Sequence, residues 1–386
     1  MKCRFCKATL KENFIDLGHA PPSNAYLSIN NLNKPEIYYP LKTKVCTKCW
    51  LVQTIDYTKS ELLFNDEYAY LSSTSKSWLK HSKDFALEVS KKYKFNSNSF
   101  VIEIACNDGY LLKNFKKANI PCLGIEPTRS TAKIALKKGI NVIEDFFNSN
   151  LAKELKKTNK KADLIIGNNV FAHVPDINDF TRGLKILLKK EGIISLEFPH
   201  LMQLIKANQF DTIYHEHFSY LSLISVKSIL EKHGLKIYNV KELSTHGGSL
   251  RVYACHNSSE RIIEGSVENI LNSEINFGLN NISKYKEIQK KAEKIRSKLI
   301  NFLNSQKMQG RKVACYGAAA KGNTILNFSG VKSNLISYVC DMAKSKQNKF
   351  LPGSHIPIKH PNELKKSPPN SIIILPWNLS EEINDF

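Results

Sequence analysis

No stretch of about 18 consecutive apolar residues occurs anywhere in the 386-residue sequence, so it offers no membrane-spanning helix. The first residues, MKCRFCKATLKEN, lack the apolar segment of a secretory signal. Acidic residues are scarce beside basic ones, 35 against 56, for a formal net charge of +21. That imbalance raises a polyanionic partner. The lysines, however, are scattered in pairs (Lys116-Lys117, Lys137-Lys138, Lys189-Lys190, Lys290-Lys291) and not concentrated in one stripe with interleaved aromatics. The expectation is a solvated basic surface, with no nucleic acid and no membrane as partner. Also missing are the glycine fingerprint GxGxxG and the phosphate loop GxxxxGK[ST], which argues against an ordinary dinucleotide or P-loop site.

Nine cysteines are present, an odd number, and five of them stand alone in mostly apolar surroundings, as in a reducing compartment. The expectation is a cytoplasmic protein of two or three domains, since the length exceeds one ordinary core. The other four, Cys3, Cys6, Cys46 and Cys49, form two CxxC pairs separated by 39 residues. Each pair can supply two thiolates from one tight turn, and four thiolates make a closed tetrahedral zinc site with a structural role. Two disulfides or a redox CxxC would use the same residues, but the compartment disfavours the first, and no thioredoxin-like βαβ unit surrounds either pair.

In the middle of the chain FVIEIACNDGYLLKNFKK reads as strand, tight polar turn and helix. Glu103, Ala105, Asn107, Asp108 and Gly109 occupy the turn, where unpaired backbone N–H groups and small residues let a ligand approach. The next strand ends at Glu126, 23 residues after Glu103, placed to accept from ribose hydroxyls. Further strands end at Asp145-Phe146, at Asn168 in GNNVFAHVPD and in LEFPH. This alternation predicts a doubly wound parallel sheet with its ligand at the strand C-termini. It resembles a class I S-adenosylmethionine-dependent methyltransferase. In such folds Glu126 holds the ribose, Asp145 and Phe146 lie near the adenine, and Ala105 to Gly109 face the methionine part.

A helix is expected before this sheet on Trp78, Phe85, Leu87 and Val89, and a long amphipathic one later on Ile288, Ala292, Ile295, Leu299 and Phe302. After the long helix, RKVACYGAAAKGNTILNF and LISYVCD repeat the strand, turn and helix pattern of a Rossmann half. Boundaries are set at 1–68 for the zinc module, 69–245 for the methyltransferase domain and 246–386 for the C-terminal Rossmann-like domain.

The segment YHEHFSY, Tyr214 to Tyr220, leaves three readings open: a metal site, a proton-transfer site or a polar knot in a core. Its two histidines stand two apart, which diverges on a helix, and no third ligand is evident at suitable spacing. The segments CRFC, CTKC, YAYLSSTS, IEIACNDG, GIEPT, NNVFAHVPD, EFPH, YHEHFSY, THGGSLRVY and YGAAAKGNTILN occur in this order along nearly the whole chain. Together they resemble the sugar C-methyltransferases, zinc-containing enzymes that methylate a carbon of a nucleotide-activated 4-keto-6-deoxy sugar.

The resemblance implies that His217 abstracts a proton beside the ketone, while Tyr214 and Glu216 position the sugar or steady the charge. His173 and Tyr70 match other active-site positions, with Tyr68 a rival for the Tyr70 role and His215 taken as structural. It also implies a nucleotide-diphosphate sugar held from the C-terminal domain. Lys321 and the turn His246, Gly247, Gly248 and Ser249 are candidates for the diphosphate, with Arg251 and Asn323 beside them. The same turn and strand could equally be a Rossmann half without a ligand. Family members run somewhat beyond SIIILPWNLSEEINDF, and a monomer or weak homo-oligomer is expected. The alternatives are a C-epimerase using the same enolate and, from another class, a zinc-ribbon nucleic-acid-binding protein.

Overall fold

The computed structural model describes residues 1–56 and 71–384. Three sheets organise them. The first has the order β1-β2-β3-β9, all antiparallel, built from Glu12–Ala20 (β1), Tyr39–Val45 (β2), Val52–Thr54 (β3) and Ser219–Tyr220 (β9). The last strand is the end of YHEHFSY: Val52 and Gln53 pair with Tyr220 and Ser219. The N-terminal module therefore builds one wall of the candidate site, which its distance in sequence conceals.

The central sheet runs β10-β11-β8-β7-β4-β5-β6. Val101–Ile104 (β4), Cys122–Ile125 (β5), Val142–Ile143 (β6), Ala162–Asn168 (β7) and Leu188–Pro199 (β8) are parallel. Ser249–His256 (β11) is inserted antiparallel between β8 and Leu235–Leu243 (β10). All four β4 residues are buried, as a strand covered by helices on both faces requires. The chain order reverses between β4 and β7, which opens a crevice at their C-terminal ends. Since β11 belongs to this sheet, the central unit takes in residues beyond the 245/246 boundary set from sequence.

The third sheet, β14-β13-β12-β15, is parallel and comprises Val313–Tyr316 (β12), Val339–Cys340 (β13), Ile358–Lys359 (β14) and Ser371–Ile374 (β15). The helix Ile282–Met308 ties it to the first sheet. Tyr285, Ile288 and Ala292 pack with Phe14 and Ile15 of β1, whereas Leu299 and Leu303 pack into the third sheet's core. Two residues of the expected helix faces differ. Phe302 is 40% exposed and Leu303 takes the core position; likewise Leu87 is exposed on the helix Lys76–Tyr93 while Trp78, Phe85, Ala86 and Val89 are buried. Each exposed residue is about 100° or 200° around the helix from a buried neighbour, so a one-residue slip in phase turns it to solvent.

Candidate active site

Both CxxC turns close in the same way. Lys7 N–H donates to Cys3 O (3.0 Å) and Trp50 N–H to Cys46 O (2.7 Å), and both Lys7 and Trp50 adopt positive φ. The two turns bring the four Sγ atoms within 4.8 Å of one another. Cys3 to Cys49 is 3.6 Å and Cys6 to Cys46 is 3.4 Å. A zinc tetrahedron with Zn–S of about 2.3 Å needs edges of about 3.8 Å, so the donors fit the ion with little movement. Among the described residues this is the group that can hold a metal. HEH is not one: His215 Nε2 meets Tyr39 O at 3.3 Å, while His217 turns away toward Thr212.

The crevice between β4 and β7 carries the cofactor candidates. Ala105 (φ 55°), Asn107 (φ 49°) and Gly109 (φ 75°) all take left-handed backbone, and a Cβ at Gly109 would press on Ala135 and Ile140 at 3.2 Å. Asn107 N–H and Thr128 N–H each donate to Glu126 at 2.9 Å. Burial pushes the Glu126 carboxyl up, and that of buried Glu103 well up. Lys138 holds Asp108 at 3.0 Å. Asp145 accepts from Phe146 N–H (2.7 Å) beyond the end of β6. At the end of β7, Asn168 is buried with neither side-chain polar atom hydrogen-bonded. Orphaned amides are costly in a core, and this one has the chemistry to satisfy a polar ligand at the strand end. The cradle fits S-adenosylmethionine.

At the YHEHFSY segment, Glu216 is buried and both its carboxylate oxygens lie 2.8 Å from Asn24 Nδ2. His173 Nδ1 meets Glu216 O at 2.8 Å, and His217 Nδ1 meets Thr212 O at 2.9 Å. A carbonyl only accepts, so both Nδ1 atoms carry hydrogen and both Nε2 atoms keep their lone pairs. The His217 ring centroid is 4.6 Å from that of His173 and 4.0 Å from that of Tyr214. An apolar cavity lined by Ala172, Pro199, Leu204 and Tyr220 adjoins His217. Burial, with the neighbouring His173 and His246 imidazoles and the Lys321 ammonium opposing a further positive charge, holds His217 well below the ordinary imidazole range. Burial brings His173 and His246 down to about 4. Tyr70 lies outside the described residues, as does Tyr68.

The turn at His246 (φ 55°) is packed tightly: a Cβ on Gly247 would reach Trp377 at 2.3 Å and one on Gly248 would reach Gln203 at 2.7 Å. Gly248 N–H already donates to Thr245 O (2.9 Å), and Ser249 Oγ donates to the same carbonyl (2.9 Å). His246 Nε2 accepts from Asn169 Nδ2 at 3.1 Å. Lys321 sits under Trp377, 4.4 Å from the ring, and donates to Asn378 Oδ1 (2.5 Å). Burial lowers its ammonium to about 8. Asn323 Nδ2 donates to Ser23 O at 2.6 Å, and its Oδ1 is buried without a partner.

Arg251 does not reach this cluster. It is 2% exposed, pairs with Glu197 across the β8-β11 ladder and lies over the Phe85 ring. Gly317 (φ 86°) and Gly322 likewise serve packing, since Cβ atoms there would meet Pro376 at 2.4 Å and Leu375 at 2.7 Å. Asn24, Asn169, Asp211 and Trp377 were missed in the sequence; only Asn169 lay within one of the ordered motifs, NNVFAHVPD. Trp377 Nε1 donates to Asp211 at 2.7 Å.

The buried histidines make stability depend on pH. The unfolded chain binds a proton at each near 6.5, whereas folded His173 and His246 do so only near 4. Unfolding therefore takes up protons in this window, and stability falls as pH drops from 6.5 to 4, on the order of 3 kcal/mol for each histidine at most. Burial raises Glu197, but His81 and Arg251 outweigh it and hold the carboxyl at about 2, so its own loss begins only below its ordinary 4.5. Glu103, Glu126 and Asp211, whose carboxyls burial raises, act in the opposite sense, so urea unfolding at pH 7.5, 6.5, 5.5 and 4.8 is compared between the wild type and His246→Gln; a pH profile that the substitution leaves unchanged contradicts the neutral burial of that histidine.

Three family models match in succession: a zinc binding domain over residues 3–64, a methyltransferase domain over 79–240 and a C-methyltransferase C-terminal domain over 244–385. C-methyltransferase NovU of Streptomyces niveus is 31% identical over 384 residues, covering 100% of this chain and 91% of the relative. The solved structures to which the chain is similar include an S-adenosylmethionine-dependent methyltransferase from Clostridium acetobutylicum, 14% identical over 47% of this chain and 92% of that one, TM-score 0.37. Another is magnesium protoporphyrin IX methyltransferase from Synechocystis, 16% identical over 46% and 79%, TM-score 0.35. Four thiolates set for zinc, a class I strand order around an empty-handed Asn168, and a relative matching end to end agree with the ten ordered motifs: the chain belongs to the sugar C-methyltransferase family, dependent on S-adenosylmethionine and carrying zinc.

Proposed function

We propose that the enzyme methylates the carbon beside the ketone of a nucleotide-diphosphate 4-keto-6-deoxy sugar. The observation that carries this reading is the hydrogen bond from His217 Nδ1 to Thr212 O, 2.9 Å, which leaves Nε2 as the basic atom. Burial keeps that imidazole neutral at working pH, the state a base must have. His217 Nε2 takes the α-proton, the C–H electron pair becomes the enolate π bond, and the ketone oxygen gains the negative charge. Bound S-adenosylmethionine supplies an electrophilic methyl for that carbon.

The chain's residues do the rest. Glu126, with lone pairs left after its two backbone bonds, holds ribose hydroxyls, and Asn168 supplies the amide for the cofactor's polar edge. Lys321, still mostly cationic at neutral pH, supplies positive charge that suits an enolate and a diphosphate, while His173 and His246 stand near His217 as neutral imidazoles. Lys321 and Asn323 meet the nucleotide sugar after Trp377 and Asn378 release the lysine.

The test is incubation of enzyme, S-adenosylmethionine and a panel of nucleotide 4-keto-6-deoxy sugars, read by mass spectrometry, with S-adenosylhomocysteine binding by calorimetry alongside. A gain of one CH2 in the sugar supports the reading. Deuterium uptake from D2O with no methyl gain would reassign the chemistry to epimerisation, and no change in any sugar would reject the substrate.

A further inference from the structure

We infer that Asn24, contributed by the zinc module, is a positioning residue for the Glu216 carboxylate, beside the β3–β9 pairing and the Thr54 bond to His217 O by which the module also backs the site. Asn24 Nδ2 lies 2.8 Å from both Oε1 and Oε2 of Glu216, so one donor sits between the two oxygens and fixes where the carboxylate points. The segment that carries it is fastened at both ends. Upstream, β1 ends at Ala20 in the first sheet, and Pro21 and Pro22 restrict the backbone that follows. Ala25 N–H closes a turn onto Pro22 O at 3.0 Å.

Downstream, the third-sheet unit grips the same segment. Ser23 O accepts from Asn323 Nδ2 (2.6 Å), Tyr26 Oη donates to Ala318 O (2.6 Å), and Leu27 exchanges backbone bonds with Phe350 at 3.0 and 2.8 Å. Lys346 Nζ reaches Ala318 O at 2.8 Å and so backs the Tyr26 contact. The amide is thus preset by the two outer units while Glu216 comes from the loop that leads from the central sheet into β9. Relative displacement of the units moves Asn24 off the carboxylate first. A carboxylate held in one direction can keep a sugar hydroxyl in register with His217 Nε2, and about 1 Å of looseness in such a contact costs large factors in rate.

This rests on the reading that Glu216 serves at the reacting sugar. The experiment is a double-mutant cycle on the full-length zinc-loaded enzyme with Asn24→Ala, Glu216→Gln and the pair. Expected for Asn24→Ala is a 10- to 100-fold loss in kcat, estimated as typical of a mispositioned catalytic group, with KM, homocysteine-product binding and zinc content unchanged. In the Glu216→Gln background the same change should cost less than about twofold, because the group it positions is gone. Additive losses, or a loss matched by lower zinc content, overturn the proposal. Asn24→Ser, which keeps the turn but is too short to reach, replaces the alanine variant if that one fails to fold, with the same two outcomes. If the wild type methylates no sugar, the substrate reading fails instead. The cycle read by urea unfolding then decides separately, absence of coupling between positions 24 and 216 overturning the contact.

Discussion

Replacing His217 by Asn lowers kcat by about 10³-fold while S-adenosylhomocysteine binds as before, within the range general-base removal commonly costs. Asparagine keeps a polar amide near Thr212 O, 2.9 Å from the present Nδ1, so the packing against Tyr214 and Tyr220 survives. It has no lone pair basic enough to take a proton from carbon. The product-binding crevice between β4 and β7 contains none of these residues, so calorimetry with S-adenosylhomocysteine serves as the folding control. Proton exchange at the sugar carbon in D2O, without methyl donor, should fall by the same factor as kcat. Retained exchange would move the base to His173, whose Nδ1 likewise donates to a backbone carbonyl.

Loss of zinc should be the other large effect. Cys46→Ser, or prolonged chelation, is expected to abolish detectable methyl transfer and to add a separate low-temperature unfolding transition in calorimetry. Structural zinc contributes apparent binding free energies of about 10–16 kcal/mol in small zinc modules, nearly all of it folding free energy. Here the residues beside the thiols, Phe5, Leu10 and Leu51, pack in a cluster shared with the central sheet, and Phe14, Leu41 and Val45 pack against elements outside the module, so the metal replaces the core that the module does not build by itself. When it opens, β3 no longer backs β9 and Asn24 leaves Glu216. The cofactor crevice belongs to another sheet, so S-adenosylhomocysteine binding should persist. Full activity at zero zinc, measured by elemental analysis, would contradict the link between metal and site.

How much was readable beforehand follows from the range of each interaction. The two CxxC pairs were legible because a zinc ligand set is written as cysteine spacing. The crevice was legible because a parallel sheet announces itself as alternating strands and helices, and its acidic strand ends, Glu103 and Glu126, come at fixed intervals. His217 and His173 were legible as members of motifs, yet their state was not: the bond from Nδ1 to Thr212 O and the burial that keeps the imidazole neutral arise from packing.

Arg251 shows the opposite failure. A cation beside a Gly-Gly turn reads as a phosphate ligand, but register across the β8-β11 ladder places it opposite Glu197, and a buried charge takes the nearest opposite charge. Asn24 and Glu216, 192 residues apart, meet because β3 pairs with β9 and because the third-sheet unit grips the residues on either side of Asn24. Local pattern determined which elements form and which residue types carry chemistry, since periodicity and ligand spacing act within a few residues. Which of those residues face one another was decided by the tertiary structure, because sheet register and inter-unit contacts depend on groups hundreds of residues apart along the chain.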